Sequence, residues 1–228
     1  MPPCRSSLRA LGALPTMPRK ASEIAYPTGP RHGSVVLNFR RNPASEFGTY
    51  AQAFHRAGCI LASRLARANG YRDTDACPIV YLYRQALELY IKGVIVSGRR
   101  LLDLTGQPLP IEERLLGEHR LSPLVPGVAA VFRVAGWRWR SDVQHFSSQP
   151  AFRSYLSSIE SVDPLSFAFR YPVNKGGRAN LQPHYHFNVL SFVETITPIL
   201  KLLDGALTGL EELWQQRAEA TYEAAQRT

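Results

Sequence analysis

The sequence predicts an all-α fold, an up-and-down bundle of about four to five helices with a short β-hairpin or extended flap before the last helix. Apolar side chains recur at spacings of three and four residues through several long segments, which is the pattern of amphipathic helices. One short stretch, SFAFRYP, alternates side chains in the manner of a strand. No apolar run approaches the length of about 18 residues that a membrane-spanning helix needs, so we expect no membrane contact.

Charge and proline content separate a tail from a domain. Residues 1–41 hold six prolines and seven basic residues against one acidic residue, so most of the net charge of +9 lies there. We expect 1–41 to be a basic, mostly disordered tail with a short extended piece at 34–39. The remainder of the 228-residue chain, 42–228, is long enough to bury a core and is expected to form a single helical domain.

Five helical segments are predicted from apolar spacing and from local start and stop signals. Asn42 and Pro43 supply an N-cap and a first-turn proline for the first segment. Gly98 is expected to end the second segment, and Pro198 is expected to kink the last one. The last segment also spaces its apolar residues four and three apart, as the seam of a bundle or of a dimer does. The expected segments are about 42–70, 73–98, 119–132, 150–161 and 186–225, with one further turn at 112–116.

A row of three charges crosses the most apolar helix. Arg84, Glu88 and Lys92 are four residues apart, so they share one side of a helix whose other positions are largely apolar. If the row is exposed, it forms two surface salt bridges. If it is buried, it forms a polar seam between helices and needs partners, for which His119 and Arg170 are the candidates. The residues alone leave both interpretations open.

Most enzyme classes lack their motifs in this chain. The sequence holds no nucleophile elbow, no HExxH zinc motif and no glycine-rich loop for phosphate or dinucleotide, so we expect no metal and no cofactor. Cys4, Cys59 and Cys77 are scattered and have neither zinc-binding nor disulfide-framework spacing. Three free thiols favour a reducing compartment, and we expect the protein to be cytoplasmic.

One group of side chains has the composition of a metal-free active site. Arg178 and His184 are separated by five residues just before the last predicted helix, and His186 follows them. An imidazole can move the proton of an RNA 2′-hydroxyl or of a leaving oxygen, while a guanidinium stabilises the charge that develops on the phosphate. The alternative interpretation is a solvated hairpin end with no chemical role.

Two short motifs resemble the HEPN superfamily of helical domains. The segment RQALELYIK holds Arg84, Glu88 and Lys92, and the segment GEHRLSPL, which follows a connecting loop, holds His119. The resemblance covers roughly residues 42–215 and implies an up-and-down bundle of about four helices. It also favours the structural interpretation of the charged row, as a polar seam paired with His119.

The resemblance implies a range of functions. Many members of that family are metal-independent endoribonucleases with an Arg followed by a His near the start of the last helix, and Arg178, His184 and His186 match that order. Others are non-catalytic partners of nucleotidyltransferases, and members typically form homodimers. We expect a nucleic-acid-associated dimerising module of a bacterial defence or toxin-type system, with RNA as its ligand. The alternatives are an endoribonuclease that uses Arg178 and His184, or a small-molecule sensor. The pocket of that sensor would lie under the aromatic flap of Phe167, Phe169 and Tyr171, beside Trp137 and Trp139.

Overall fold

The computed structural model describes Val35 and residues 46–105 and 117–226. The predicted tail, apart from Val35, lies outside the described residues, and so do the predicted helix start at Asn42 and Pro43 and the predicted turn at 112–116. Within the described ranges, no helix combines the length and the apolarity needed to cross a membrane.

The all-α prediction is confirmed. The described residues form five α-helices and two short 3-10 helices, at Asp73–Asp75 and Ser122–Leu124. The α-helices are α1 (Phe47–Ala66), α2 (Ala76–Thr105), α3 (Val125–Ala135), α4 (Gln149–Val162) and α5 (Val189–Gln226). Asn188 fixes the start of α5, because its Oδ1 accepts hydrogen bonds from the backbone N–H groups of Leu190 and Ser191, each at 3.0 Å.

Helix α2 is the centre of the bundle. It packs against α1 and α5 along most of its length and against α3 near its end. From 79 to 95 none of its residues is exposed, because its apolar spacing is dense enough to bury the helix on every side. The apolar seam of α5 is part of the same core, since Leu200 and Leu203 are fully buried there. That seam is consequently occupied within the chain and is not a free surface for a second copy.

Gly98 does not end α2, and that prediction is wrong. The helix continues to Thr105, and Gly98 lies where α3 crosses it. A Cβ at Gly98 would lie only 2.2 Å from Cγ2 of Val131, so this glycine serves close helix packing rather than termination. The sequence does not distinguish the two roles, because the crossing partner is 33 residues away.

The predicted β-hairpin is wrong as well. Between α4 and α5 the described residues form turns, with one isolated antiparallel bridge between Val173 and Ala179 and no strand. The stretch SFAFRYP forms a turn, in which the backbone N–H groups of Arg170 and Tyr171 donate hydrogen bonds to the carbonyl of Phe167. Local hydrogen bonds thus outweigh the strand preference of the alternating aromatic residues.

The substitution Gly98→Ala tests the helix crossing. We expect it to lower the free energy of unfolding by about 1–3 kcal/mol in urea titrations, because the added methyl group overpacks the contact with Val131. Gly205→Ala in α5 is the matched control, since a Cβ there meets nothing within 4 Å, and it should stabilise by about 0.5–1 kcal/mol. Adding Val131→Ala to Gly98→Ala should recover part of the loss. Equal effects at the two glycines would contradict the packing role of Gly98.

Candidate functional site

The row of charges on α2 is buried. Arg84 is fully buried, and Glu88 and Lys92 expose 2% and 4% of their surface. Glu88 lies between the two cations, with its Oε2 at 2.9 Å from Arg84 NH1 and its Oε1 at 2.8 Å from Lys92 Nζ. The interpretation of the row as exposed surface salt bridges is therefore wrong. We call these three residues the charged ladder.

The charged ladder holds two non-helical segments. Arg84 NH2 donates to the carbonyl of His119 at 2.6 Å, and His119 Nδ1 lies 3.1 Å from Glu88 Oε1. On the other side, Arg84 Nε donates to the carbonyl of Asp163 at 3.4 Å and lies 3.7 Å from its carboxylate. The structure thus brings His119 to the ladder, and it adds Asp163, which the sequence analysis did not identify.

The pKa of Glu88 reflects this environment. Burial by itself raises the pKa of the carboxyl group, but the hydrogen bonds and positive charges of Lys92 and Arg84 outweigh burial and hold the pKa below its ordinary value. Glu88 therefore stays ionised in the interior, where its charge is needed to balance the two cations.

A second acidic side chain also joins separate segments. Glu160 on α4 accepts hydrogen bonds from the backbone N–H groups of Leu121 and Ser122 and from the Ser122 hydroxyl. It thereby caps the short 3-10 helix that leads into α3. Glu160 and the ladder both fix the segment from His119 to Ser122, so the entry to α3 is held from two sides.

Asp163 shapes the turn that follows α4. Its Oδ1 accepts from the backbone N–H groups of Phe167 at 2.7 Å and Ala168 at 3.0 Å. Ser166, which lies between Asp163 and Phe167, takes a left-handed conformation with φ of 61°. Arg170 does not reach the ladder, because its Nε donates to the carbonyl of Ser166 at 2.6 Å and its guanidinium lies 4.7 Å from the centroid of the Phe167 ring.

The turn forms one wall of a cleft. The cleft has a volume of about 910 Å³ and extends from Val162 to Asn180. Two aromatic rings, Phe167 and Tyr171, line it, and Lys175 and Arg178 add positive charge. Four large apolar side chains that line the cleft are exposed to between 41% and 53% of their surface, namely Leu165, Phe167, Tyr171 and Val173. We call this the aromatic cleft.

The three predicted catalytic residues do not all line the same cleft. Arg178 lines the aromatic cleft, and its backbone is held by Asn174, whose N–H donates to the Arg178 carbonyl at 2.8 Å. His184 and His186 are both exposed and do not line that cleft. His184 takes a left-handed conformation with φ of 60° in the segment that precedes α5. Of the three predicted catalytic residues, only Arg178 lines the aromatic cleft.

The tryptophans of the predicted sensor pocket are elsewhere. Trp139 packs at ring-centroid distances of 5.1 Å from Phe132 and 5.0 Å from Phe146, in the aromatic core between α3 and α4. Trp137 lies edge-to-face with Phe132 at a ring-centroid distance of 5.6 Å and packs against α5 at Gly209. Within the described residues no group of three or more His, Cys, Asp or Glu side chains is placed to hold a metal ion.

Comparisons with known proteins returned nothing: no protein-family model, no curated protein and no solved structure matches this chain. The fold and the site alone define its class. It is an all-α bundle with a buried charged ladder at its centre and an exposed cleft of aromatic and basic side chains. Such a cleft can stack planar groups on its rings and bind anions through its cations.

Removing the negative charge of the ladder tests its structural role. We expect Glu88→Gln to lower the free energy of unfolding by about 3–5 kcal/mol, because the buried Arg84 and Lys92 lose the carboxylate that lies between them. Glu211→Gln breaks the exposed pair with Arg100 and is the matched control, with an expected loss below about 1 kcal/mol. Similar losses in urea titrations of the two variants would contradict the role of the ladder.

The pH dependence of stability gives an independent test. Since the pKa of Glu88 is lower in the folded chain than its ordinary value of 4.5, its contribution is present above that value and is lost as the pH falls through the folded-state pKa. We expect the stability difference between the parent and Glu88→Gln to be largest above pH 4.5 and to shrink as the pH falls below that value. A difference that does not change with pH would show that the charge of Glu88 is not what stabilises the fold.

Proposed function

We propose that this protein is a HEPN-like helical domain that binds single-stranded nucleic acid, RNA foremost, through the aromatic cleft. In this proposal it acts as a non-catalytic, dimerising module of a bacterial defence or toxin-type system. The association with such systems, the homodimer and a nucleotidyltransferase or other partner protein rest on the resemblance of the two short motifs. The ligand class rests on the chemistry of the cleft.

The observation that supports the ligand class is the combination of exposed rings with cations in one concavity. Phe167 and Tyr171 expose 41% and 53% of their surface although both are large apolar side chains. Unpaired bases stack on such rings, whereas the bases of a duplex are covered by their neighbours. Lys175 and Arg178 lie on the same cleft and can contact the phosphates that flank a stacked base. A single strand supplies both the unpaired bases for the rings and the phosphates for the cations.

The non-catalytic version is favoured by the position of the histidines. General acid-base chemistry needs an imidazole within hydrogen-bond reach of the reacting oxygen. Arg178 lines the cleft, but His184 and His186 do not. Endoribonuclease activity is the second candidate, because Arg178 is already placed where a phosphate would bind. It would require a histidine, of the same chain or of a second copy, within hydrogen-bond reach of a phosphate bound by this arginine.

Dimerisation needs a surface other than the seam of α5. Leu200, Leu203 and Leu210 of that seam are buried in the core of the chain. Light scattering at tens of micromolar is the direct measurement of the oligomeric state. A monomer at that concentration would remove the dimer from the proposal without affecting the cleft.

Binding of a labelled oligouridine RNA of about twelve nucleotides tests the ligand class. We expect Tyr171→Ala to weaken binding about tenfold through lost stacking, and Arg178→Ala to weaken it and to reduce the salt slope by about one. Tyr222→Ala and Arg153→Ala are matched controls, because both residues are exposed on helices and do not line the cleft. They should bind as the parent does. Absence of binding by the parent at low salt would refute the proposal.

The same RNA in EDTA decides between binding and cleavage. We expect the parent to leave the RNA intact over a large protein excess. Cleavage that persists in EDTA and is lost in His184→Ala would replace the binding module with the metal-independent endoribonuclease.

A further inference from the structure

We infer that Ser166 is kept in an unfavourable conformation in order to preorganise the aromatic cleft, and that Arg84 and Asp163 are positioning residues for ligand binding. The inference deepens the proposed function and rests on it for the ligand, which is single-stranded RNA.

Ser166 combines two unfavourable features at one position. Its φ of 61° lies in the left-handed region, where a residue with a Cβ is disfavoured. Its hydroxyl group is buried and has no hydrogen-bond partner in the protein, and the whole residue exposes only 3% of its surface. Glycine would remove both features. A site where backbone strain persists is one that its surroundings hold in place, and such sites concentrate where ligands bind.

The surroundings that hold Ser166 are charged groups. Asp163 anchors the chain just beyond Ser166 by accepting from the N–H groups of Phe167 and Ala168. Arg170 holds the Ser166 carbonyl at 2.6 Å. Asp163 is in turn held by Arg84, which contacts both its carbonyl and its carboxylate. The strained turn is therefore tied to the charged ladder at the centre of the bundle.

The consequence of this anchoring lies in the cleft. Phe167 directly follows Ser166, so the left-handed residue determines where the Phe167 ring leaves the backbone. The guanidinium of Arg170 lies 4.7 Å from the Phe167 ring and 5.6 Å from the Tyr171 ring, and it holds the two rings together. Rings that are already fixed lose little conformational entropy when a base stacks on them. The strained backbone at Ser166 thus raises the affinity of the cleft for RNA, because it fixes the rings before the RNA binds.

Two substitutions of Ser166 separate preorganisation from mere packing. Ser166→Gly removes both the strain and the buried hydroxyl, so we expect Tm to rise by about 2–6 °C while the oligouridine binds about 3- to 10-fold more weakly. Ser166→Ala removes only the hydroxyl and keeps the backbone restraint, so Tm should rise and binding should stay as in the parent. Binding by Ser166→Gly that equals the parent's would overturn the inference. An equal loss in Ser166→Ala would overturn it too, because the hydroxyl itself would then be the binding group.

Hydrogen exchange gives a readout that does not depend on RNA. Asp163→Asn keeps the acceptor oxygen for the two backbone N–H groups but removes the charge that Arg84 holds. We expect faster exchange at the amides of Phe167 and Ala168, with the amides in the middle of α2 unchanged. Unaltered exchange at those two amides would refute the positioning role, whether or not RNA binds. If the parent bound no RNA while exchange responded as expected, the proposed ligand would fail and the coupling of the ladder to the turn would stand.

Discussion

The buried charge balance on α2 is the constraint on which the rest of the structure depends. The three residues of the charged ladder expose at most 4% of their surface. Arg84 and Lys92 are therefore stable there only with Glu88 between them and with further oxygen acceptors for the guanidinium. Those acceptors are the His119 and Asp163 carbonyls. The charges cannot be satisfied unless the segments before α3 and after α4 take the positions they have.

This dependence extends from the core to the surface through one carboxylate. One oxygen of the Asp163 carboxylate lies near Arg84 in the core. The other oxygen accepts hydrogen bonds from the backbone N–H groups of Phe167 and Ala168, in the turn that carries the rings of the cleft. A polar network in the interior stabilises a fold mainly by excluding arrangements in which one member lacks a partner. Here the excluded arrangements include other backbone conformations of the turn between Asp163 and Arg170. The helical bundle thus acts as a rigid scaffold for an irregular segment, and binding functions are commonly placed on such segments.

Sequence reasoning succeeded where the signal was local and periodic. The five helices, the apolar face of α2 and the row of Arg84, Glu88 and Lys92 follow from residue spacing, because a helix repeats every few residues. It failed where the deciding partner is distant in the chain. The role of Gly98 depends on Val131, and the roles of Glu160 and Asp163 depend on backbone groups that no spacing rule places nearby. An Asp-Pro pair after a helix does indicate a turn, but it does not indicate a link to Arg84.

The hydrogen bonds that anchor the wall of the cleft support the proposal of a binding site more than that of a catalytic one. Arg178 and the rings of Phe167 and Tyr171 share a cleft whose wall is anchored to the core by a chain of hydrogen bonds. His184 and His186 lie outside that cleft in an exposed segment. Catalysis needs its acid or base to be held with the same precision as its anion-binding group, since a small misplacement costs orders of magnitude in rate. The proposed binding by stacking and charge has no such requirement, and it would use side chains that line one cleft.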